Sequence, residues 1–437
     1  MILLLLNSAI RLLKKQLALS LVKIAGLAIG MAVFLITALY YLHEWSFDRQ
    51  HPGSENIYRY VHRVKSQDDL QSFAFTSATT GPALKERYPE VVEFTRVFQI
   101  EVSLKVADSD VGFVEKKFAF ADENFLRFFN FPIRQGNSGL ILVEPYGVIL
   151  SPSSAEKYFG DLDPIGKTIL LNGAIPLVVK GIFQTDFNRS HMRFDFVASF
   201  PTLEAIKNHP VVSKQIPASI NLDHKGFNAF YTYLRLTNPS ARQTLEARFP
   251  AFIEEFRGEG RSERLKPTLQ SLSSIHLHSD LLYEIQSNGS MGILLTFIIV
   301  GALILLTAII NYINISTAEF LMRAKNTGLK KIIGIGKGPL LVGHIIETMV
   351  VCGLALAAGG IIALFAVPFF NQIMRTEVVF FSRDAILPFV GVFAATVLLS
   401  GSMPAIQILR QDALIAFREN QRASLTSRYL RNSLVFL

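Results

Sequence analysis

The chain has 437 residues, 50% of them hydrophobic, with a formal net charge of +8 and a pI near 9.4. Such basicity is typical of nucleic-acid-binding proteins, but here the cationic residues cluster in short segments beside long apolar runs, which excludes nucleic acid as the expected partner. Cys352 is the only cysteine, so an intrachain disulfide is impossible.

Four apolar runs are long enough to cross a bilayer core, which requires about 20 residues. The predicted spans are residues 24–42, 291–315, 340–368 and 386–406. They divide the chain into residues 1–43, an insert of residues 44–290, and residues 291–437, which contain the last three spans. The predicted fold class is therefore an α-helical membrane protein with four transmembrane helices and a large inserted extracytoplasmic α+β domain.

The N-terminal segment contains both apolar and basic residues. We interpret residues 3–17 as an amphipathic helix on the inner membrane surface, with an uncleaved signal anchor as the alternative. Within the first span, Gly26 and Gly30 have the GxxxG spacing that lets two helices approach closely. We predict a packing role for both glycines, although this spacing also arises by chance in apolar helices.

The distribution of charge predicts the topology. Basic residues dominate the segments before the first span, between the second and third spans and after the fourth, whereas residues 44–290 contain 27 basic and 29 acidic residues. The positive-inside rule then predicts cytoplasmic termini, a cytoplasmic loop at 317–339 and an extracytoplasmic insert. The expected location is the plasma (inner) membrane, as a multi-pass protein.

The insert has the alternating pattern of an α+β domain. Asn172-Gly173 between two apolar runs predicts a β-hairpin, and Ser151 followed by Pro152 predicts the start of a helix. Residues 229–236 predict a strand, followed by a helix over about 240–256. Proline and glycine form no linker-like cluster, so we predict one inserted unit.

The segment NYINISTAEFLMRAKNTGLKKIIGIGK, residues 311–337, leaves the second span, breaks at a glycine and restarts as a short basic helix. This pattern suits force transfer to a cytoplasmic partner. The residues predicted to couple the chain to that partner are Arg323, Lys325, Gly328, Lys330, Lys331, Gly334 and Lys337.

Glu347 is the one acidic residue well inside an apolar run. A charge within a bilayer is costly and often functional, so we predict that Glu347 contributes to coupling or packing. The alternative is a side chain that reaches water at the end of its helix.

The 311–337 segment resembles the loop between transmembrane helices two and three of the FtsX-like and MacB-like permeases, whose pattern runs N-x-x-N-L-S-T-A, R-A-K-E-x-G-x-R-K, G-A. Motifs of the insert resemble a MacB-like periplasmic core domain, and they are W-S-F-D-R-Q-H-P at 45–52, I-Y-R at 57–59, Y-P-E at 88–90, N-F-L-R-F-F-N-F-P at 124–132, K-Y-F-G-D-L-D-P-I-G-K at 157–167, S-H-M-R-F-D-F at 190–196 and I-H-L-H-S at 275–279. On their order and placement, the chain is identified as a member of this family over about residues 10–430.

The resemblance implies an ABC transporter permease that transmits the ATP-driven motion of a separate ABC ATPase to its extracytoplasmic domain. That motion would serve efflux, export of lipoproteins or peptides, or control of an envelope enzyme. The implied partners are the ATPase, which carries ATP and Mg²⁺, the lipid bilayer, a second copy or second permease half, and a periplasmic adaptor, lipoprotein or envelope enzyme.

Two departures from the family pattern fall in the loop, where Asn326 replaces the usual acid and Ile335 replaces alanine. The alternative function is an ATP-independent membrane-anchored receptor or envelope assembly protein, in which the Asn326 departure would reflect lost docking. The final residues, 428–437, resemble the start of a second permease unit, so we expect a half-length or truncated member.

The sequence contains only incomplete versions of nucleotide-binding and catalytic motifs. The nearest approach to a phosphate-binding G-x-x-x-x-G-K-[ST] loop has Lys331 at the first glycine and Gly338 at the Ser/Thr position. A zinc-protease H-E-x-x-H motif would begin at His43, but Phe47 stands at the position of its second histidine. We therefore predict no enzyme and no cofactor on this chain. His276, His278 and Asp280 could converge on a metal ion, since residues i and i+2 share a face of a strand. A third close ligand is not evident, so a half-exposed strand is the preferred interpretation.

Overall fold

The structure is a computed structural model, and it describes residues 7, 11, 13–65, 70–107, 111–185, 189–210, 222–226, 229–322, 336–381 and 383–410. The chain forms two compact units. We call residues 1–43 with 292–437 the membrane unit, and residues 44–291 the inserted unit.

The described elements follow the predicted order of one long helix, a mixed segment and three long helices. The first is α1, Leu17–Trp45. The mixed segment contains β1 (Ile57–Lys65), β2 (Leu70–Phe73), α2 (Thr80–Arg87), β3 (Val91–Val106), β4 (Gly112–Ala121), α3 (Phe125–Phe128), β5 (Ile133–Gly136), β6 (Gly147–Leu150), α4 (Pro152–Phe159), β7 (Thr168–Leu171), β8 (Ile175–Phe183), β9 (Phe196–Ser199), α5 (Phe200–Ile206), β10 (Tyr231–Leu236), α6 (Ala241–Arg257), β11 (Leu265–Ser271) and α7 (Ile275–His278). The last three are α8 (Met291–Met322), α9 (Lys337–Met374) and α10 (Ile386–Arg410).

Four helices in the described part of the chain, α1, α8, α9 and α10, are long and apolar enough to cross a membrane. Each extends beyond its predicted span, because the hydrogen-bonded helix continues into the polar residues at its ends. The helix α8, for example, reaches Met322 and so includes the first residues of the predicted 317–339 loop. The buried side chains of this unit come from all four helices, and they are Leu27, Met31, Leu35, Leu305, Ile309, Tyr312, Val351, Cys352, Ala355 and Val392.

Six strands of the inserted unit form a closed barrel. They pair in the order β3, β4, β9, β6, β8 and β7, and β7 pairs again with β3. Alternate residues along each strand are buried together, as expected for a small barrel filled by side chains. The cluster includes Phe98, Leu104, Phe118, Phe120, Val148, Leu150, Ile169, Leu171, Leu177, Val179 and Phe196.

The remaining strands continue from the barrel through the pairing of β10 with β3. Here β1 lies between β10 and β11, antiparallel to both, and also pairs with β2. The helices α2 and α6 cover this part of the sheet with an apolar cluster that includes Tyr58, Leu84, Leu234, Leu245, Phe249 and Phe252. A third cluster contains the aromatic residues in and near α3, namely Phe125, Phe128, Phe129 and Phe131.

Local signals in the insert produce the predicted elements. The β7–β8 hairpin turns at Asn172 and Gly173, whose φ angles of 50° and 72° lie in the left-handed region that these residues tolerate. The Ser151 side chain accepts a hydrogen bond from the Ser154 backbone N–H at 3.2 Å, and Pro152 begins α4. The hairpin and the helix start are therefore confirmed.

Truncating a filled position of the barrel should destabilise the inserted unit. Phe118 in β4 is fully buried, so Phe118→Ala is expected to cost about 3–5 kcal/mol through the cavity that it leaves. The measurement is the denaturation midpoint of the detergent-purified protein, followed by near-ultraviolet circular dichroism. On the same strand Val114 is 63% exposed, so Val114→Ala is the matched control and should stay within about 0.5 kcal/mol of the parent. Equal effects of the two variants would contradict the assignment of the barrel interior.

Candidate functional site

The predicted coupling residues lie at the junction of α8 and α9. Of these, Lys337 is described, whereas Arg323, Lys325, Gly328, Lys330, Lys331 and Gly334 lie outside the described residues. Lys337 is the first residue of α9, is exposed, and donates a hydrogen bond to the Leu409 carbonyl oxygen of α10 at 3.0 Å. This contact links the start of α9 to the end of α10.

The two glycines of the first span differ in their surroundings. A Cβ atom on Gly30 would lie 2.8 Å from the Ala308 Cβ of α8, and 3.3 Å from the Leu305 Cα. A Cβ on Gly26 would lie 3.7 Å from its nearest neighbour, Asn311 Nδ2, an ordinary contact distance. Of these two glycines, Gly30 is therefore the one at a close approach of α1 and α8.

Sequence reasoning missed Gly359, which makes another close approach within the membrane unit. A Cβ atom on this glycine of α9 would lie 2.6 Å from the Ala28 carbonyl oxygen of α1. A small residue at this position lets the two backbones approach. The sequence did carry a signal for this contact, because Ala355 and Gly359 have the four-residue spacing of small residues that permits close helix packing.

Glu347 is half-buried on α9, beside a polar contact chain through Thr348. The Thr348 hydroxyl accepts from the Tyr312 hydroxyl of α8 at 3.4 Å, and also lies 3.4 Å from His344 Nε2. One turn further along α9, Cys352 Sγ lies 3.7 Å from the Ser400 hydroxyl of α10. Weak polar contacts thus connect α8, α9 and α10 near Glu347, whose predicted coupling role stays a prediction.

Sequence reasoning also missed a buried ion pair between α1 and α8. Lys23 and Glu319 lie 2.9 Å apart, nitrogen to oxygen, although the sequence placed both among the polar residues that flank the spans. The sequence did contain a signal for this pair. Lys23 is the charged residue nearest to the first apolar run and Glu319 is the one nearest to the end of the second, so both are expected at the same depth in the membrane.

In the inserted unit, polar residues that are all buried except the half-buried Glu284 join the two ends of its chain, and we call this set the polar root: Glu44, Asp48, Arg59, His191, Tyr233, His276 and Glu284. Asp48 has a φ of 57°, and its carboxylate accepts hydrogen bonds from the Ser190 hydroxyl at 2.7 Å and from His191 Nδ1 at 2.8 Å. The other nitrogen of His191, Nε2, lies 2.7 Å from the Tyr233 hydroxyl.

The electrostatics of this root favour the charged forms of Asp48 and Glu284. Burial would raise the pKa of Asp48, but the positive charge and hydrogen bond of His191, with the hydrogen bond of Ser190, lower it below its usual value. For Glu284 burial likewise opposes ionisation, and the hydrogen bonds and charge of Arg59 lower the pKa. Burial raises the pKa of the Tyr233 phenol, which therefore stays neutral.

Arg59, like Asp48, has no exposed surface. Its guanidinium donates to both carboxylate oxygens of Glu284, at 2.6 and 2.7 Å, and to Gln270 Oε1 at 2.7 Å. A bidentate pair of this kind has one favoured geometry. It joins the segment before α8 to strand β1.

His276 occupies a different setting from the one expected. Residues 275–278 form the short helix α7 rather than a strand, so His276 is buried while His278 is exposed. The His276 Nε2 atom lies 2.7 Å from a Glu44 carboxylate oxygen, and its ring stacks on Phe47 with centroids 3.6 Å apart. Within the described ranges, no group of three or more histidine, cysteine, aspartate or glutamate residues is arranged to hold a metal ion.

The fold and its sites define a multi-pass membrane protein whose α+β unit is inserted between the first and second of four long apolar helices. Residues 20–252 match the family of the MacB-like periplasmic core domain, and residues 298–413 match the FtsX-like permease C-terminal domain. The chain therefore belongs to this family and is an FtsX/MacB-type ABC transporter permease with a periplasmic domain. Permease subunits of this family are typically non-catalytic.

Three solved structures are similar to the chain. A domain of a putative permease protein from Porphyromonas gingivalis shares 18% identity, with 51% of this chain and 92% of that chain covered and a TM-score of 0.42. The periplasmic region of MacB from Actinobacillus actinomycetemcomitans shares 13% identity, with 50% of this chain and 90% of that chain covered and a TM-score of 0.34. The extracellular domain of the noncanonic ABC-type transporter YknZ from Gram-positive bacteria shares 12% identity, with 49% of this chain and 100% of that chain covered and a TM-score of 0.33. No curated protein matches the chain.

Gly→Ala substitutions in the membrane unit should lower stability where helices are in close contact and have little effect where there is free space. Gly359→Ala and Gly30→Ala are each expected to lower stability by about 1–3 kcal/mol, because the new Cβ meets backbone or a neighbouring Cβ that cannot move freely. Thermal unfolding in detergent measures the effect. The matched controls are Gly353→Ala on α9, where nothing lies within 4 Å, and Gly26→Ala on α1. The packing assignment fails if these controls unfold as early as Gly359→Ala and Gly30→Ala.

The stability of the inserted unit should depend on pH through His62 in β1. Burial, and then the charge of Arg257, lower the pKa of His62 from 6.5 to about 4. Between these values the unfolded chain binds a proton that the folded chain does not, so the free energy of unfolding falls as pH falls through this window. Acidification from about pH 7.5 to pH 5 should remove about 2 kcal/mol.

The measurement compares unfolding free energies at the two pH values for the parent and for His62→Gln, which cannot titrate. On acidification, the free energy of unfolding of His62→Gln should fall by about 2 kcal/mol less than that of the parent. His278→Gln, at an exposed position, controls for the removal of one histidine. If His62→Gln and the parent lose equal stability on acidification, His62 is not the group responsible.

Proposed function

We propose that this permease transmits the ATP-driven motion of a separate ABC ATPase to its inserted unit. The observation that carries the proposal is the continuity of α8, which runs without a proline from Met291 to Met322. Its length of about 48 Å exceeds the hydrocarbon core of a bilayer, about 30 Å. One stiff helix therefore leads directly from the end of the inserted unit to the basic segment at 323–335.

The charges of that segment support its assignment as the ATPase contact. It contains Arg323, Lys325, Lys330 and Lys331, followed by Lys337 at the start of α9, with no acidic residue among them. By the positive-inside rule this segment and both termini face the cytoplasm, where an ATPase has access to nucleotide. Glu347, about three turns into α9, would respond to movement of the same segment.

The mechanism requires no wide pore through the four helices. Binding and release of ATP on the partner would shift the basic segment, α8 would carry the shift, and the inserted unit would change conformation. This motion would drive efflux, export of a lipoprotein or peptide, or control of an envelope enzyme. The permease would act as a homodimer or with a second permease half, so that two such units can move relative to each other.

Charge reversal in the basic segment tests the proposal. In Lys330→Glu/Lys331→Glu, two attractive contacts become repulsive, so co-purification of an ABC ATPase from detergent extract should fall by about tenfold or more. Quantitative mass spectrometry of the affinity-purified parent and variant measures this ratio. Lys116→Glu/Lys117→Glu, the same charge change in β4 of the inserted unit, is the matched control and should retain the ATPase.

Absence of any ABC ATPase from the purified parent would favour the ATP-independent receptor instead. Glu347→Gln is expected to leave co-purification unchanged and to lower the ATPase rate of the complex. An unchanged rate would mean that Glu347 has no part in coupling.

A further inference from the structure

The ion pair of Lys23 and Glu319 is enclosed by the helices of the membrane unit. The two side chains are 2% and 6% exposed, and they join residues 296 positions apart in the sequence. The ammonium group also lies 5.7 Å from the centre of the Tyr312 ring, within the range of a cation–π contact. The pair is therefore shielded by protein side chains rather than solvated.

The ion pair lies at one end of the contact between α1 and α8. Glu319 is three residues from the end of α8 at Met322, directly before the basic segment at 323–335. Two turns from Lys23 along α1, Gly30 makes the close approach to Ala308. The two helices are thus joined at two levels, by close packing within the membrane and by opposite charges next to the basic segment.

An ion pair at this position restricts movement in a way that apolar contacts do not. Apolar contacts carry no charges that must stay paired, and replacing a buried ion pair by apolar residues is often neutral or stabilising. Stability alone therefore does not account for the pair. A shift of α8 by one turn, about 5.4 Å, would separate the two charges and leave both buried without compensation. The pair consequently favours one axial position of α8 against α1.

We propose that Lys23 and Glu319 are positioning residues that make α1 and α8 move as one body. The two helices are those through which the chain enters and leaves the inserted unit, so a displacement at the basic segment would reach both ends of that unit together. The role in transmission rests on the function proposed above. The linkage of the two helices does not, and it can be measured without any ATPase.

The test uses two double variants of the full-length chain. Lys23→Met/Glu319→Met removes both charges and keeps long side chains, whereas Lys23→Glu/Glu319→Lys exchanges them. Spin labels at Val22 on α1 and Met322 on α8, both exposed positions, report the distance between the helices after Cys352→Ser removes the native thiol. The parent and the exchanged pair should give one narrow distance distribution, and the double methionine variant should broaden it about twofold.

A second readout tests transmission itself. With the ATPase bound, ATP should change hydrogen exchange in the inserted unit of the parent and of the exchanged pair, and that change should fall by about fivefold or more in the double methionine variant, while ATPase binding is retained. A narrow distribution in a folded double methionine variant would overturn the proposal, as would an undiminished response to ATP. If no ATPase binds the parent, the proposed function fails, and the distance distribution still decides whether the ion pair links the helices.

The single variants test whether each of the two charges depends on the other for folding. Lys23→Met or Glu319→Gln leaves one buried residue without its ionic partner, and each should reduce recovery of folded protein by about tenfold. Both double variants should recover to parental levels. Normal recovery of both single variants would show that the two charges do not interact, and would also overturn the proposal.

Discussion

The close packing of α1 against α8 is the constraint on which the rest of this structure depends. In a membrane, apolar side chains gain nothing by leaving lipid for protein, so helices associate through small residues and buried polar contacts. Both devices are present here, in Gly30 against Ala308 and in Lys23 against Glu319. These two helices continue into the two ends of the inserted unit, so in the mechanism that we propose their association would carry motion to that unit.

The polar root applies the same principle outside the membrane. Glu44 with His276, and Arg59 with Glu284, pair residues from the beginning and the end of the inserted unit. A buried charge is costly unless its partner is in place, so these pairs favour one arrangement of the two chain ends. The barrel, by contrast, is held mainly by buried apolar side chains. A unit with rigid chain ends suits the transmission that we propose.

Much of the fold was predictable because its signals are local. The length of an apolar run predicts a spanning helix, and Asn172-Gly173 predicts a tight turn, without knowledge of any other part of the chain. The strand predicted at 229–236 and the helix after it correspond to β10 and α6 for the same reason. The histidines near 276 show the limit. Four residues with alternating polarity fit either a strand or a single helical turn, and here the helix places His276 against Glu44.

The sequence by itself determined the four spanning helices, the place of the insert and the family resemblance, because hydrophobicity and motif order are properties of neighbouring residues. Closure of the barrel through β3 and β7, and the partners of Lys23, Asp48 and Arg59, were decided only by the tertiary structure. Whether a charged residue at the end of an apolar run faces water or a partner depends on the rotation and axial position of its helix. Those are set by packing between helices that lie hundreds of residues apart, and no local pattern records them.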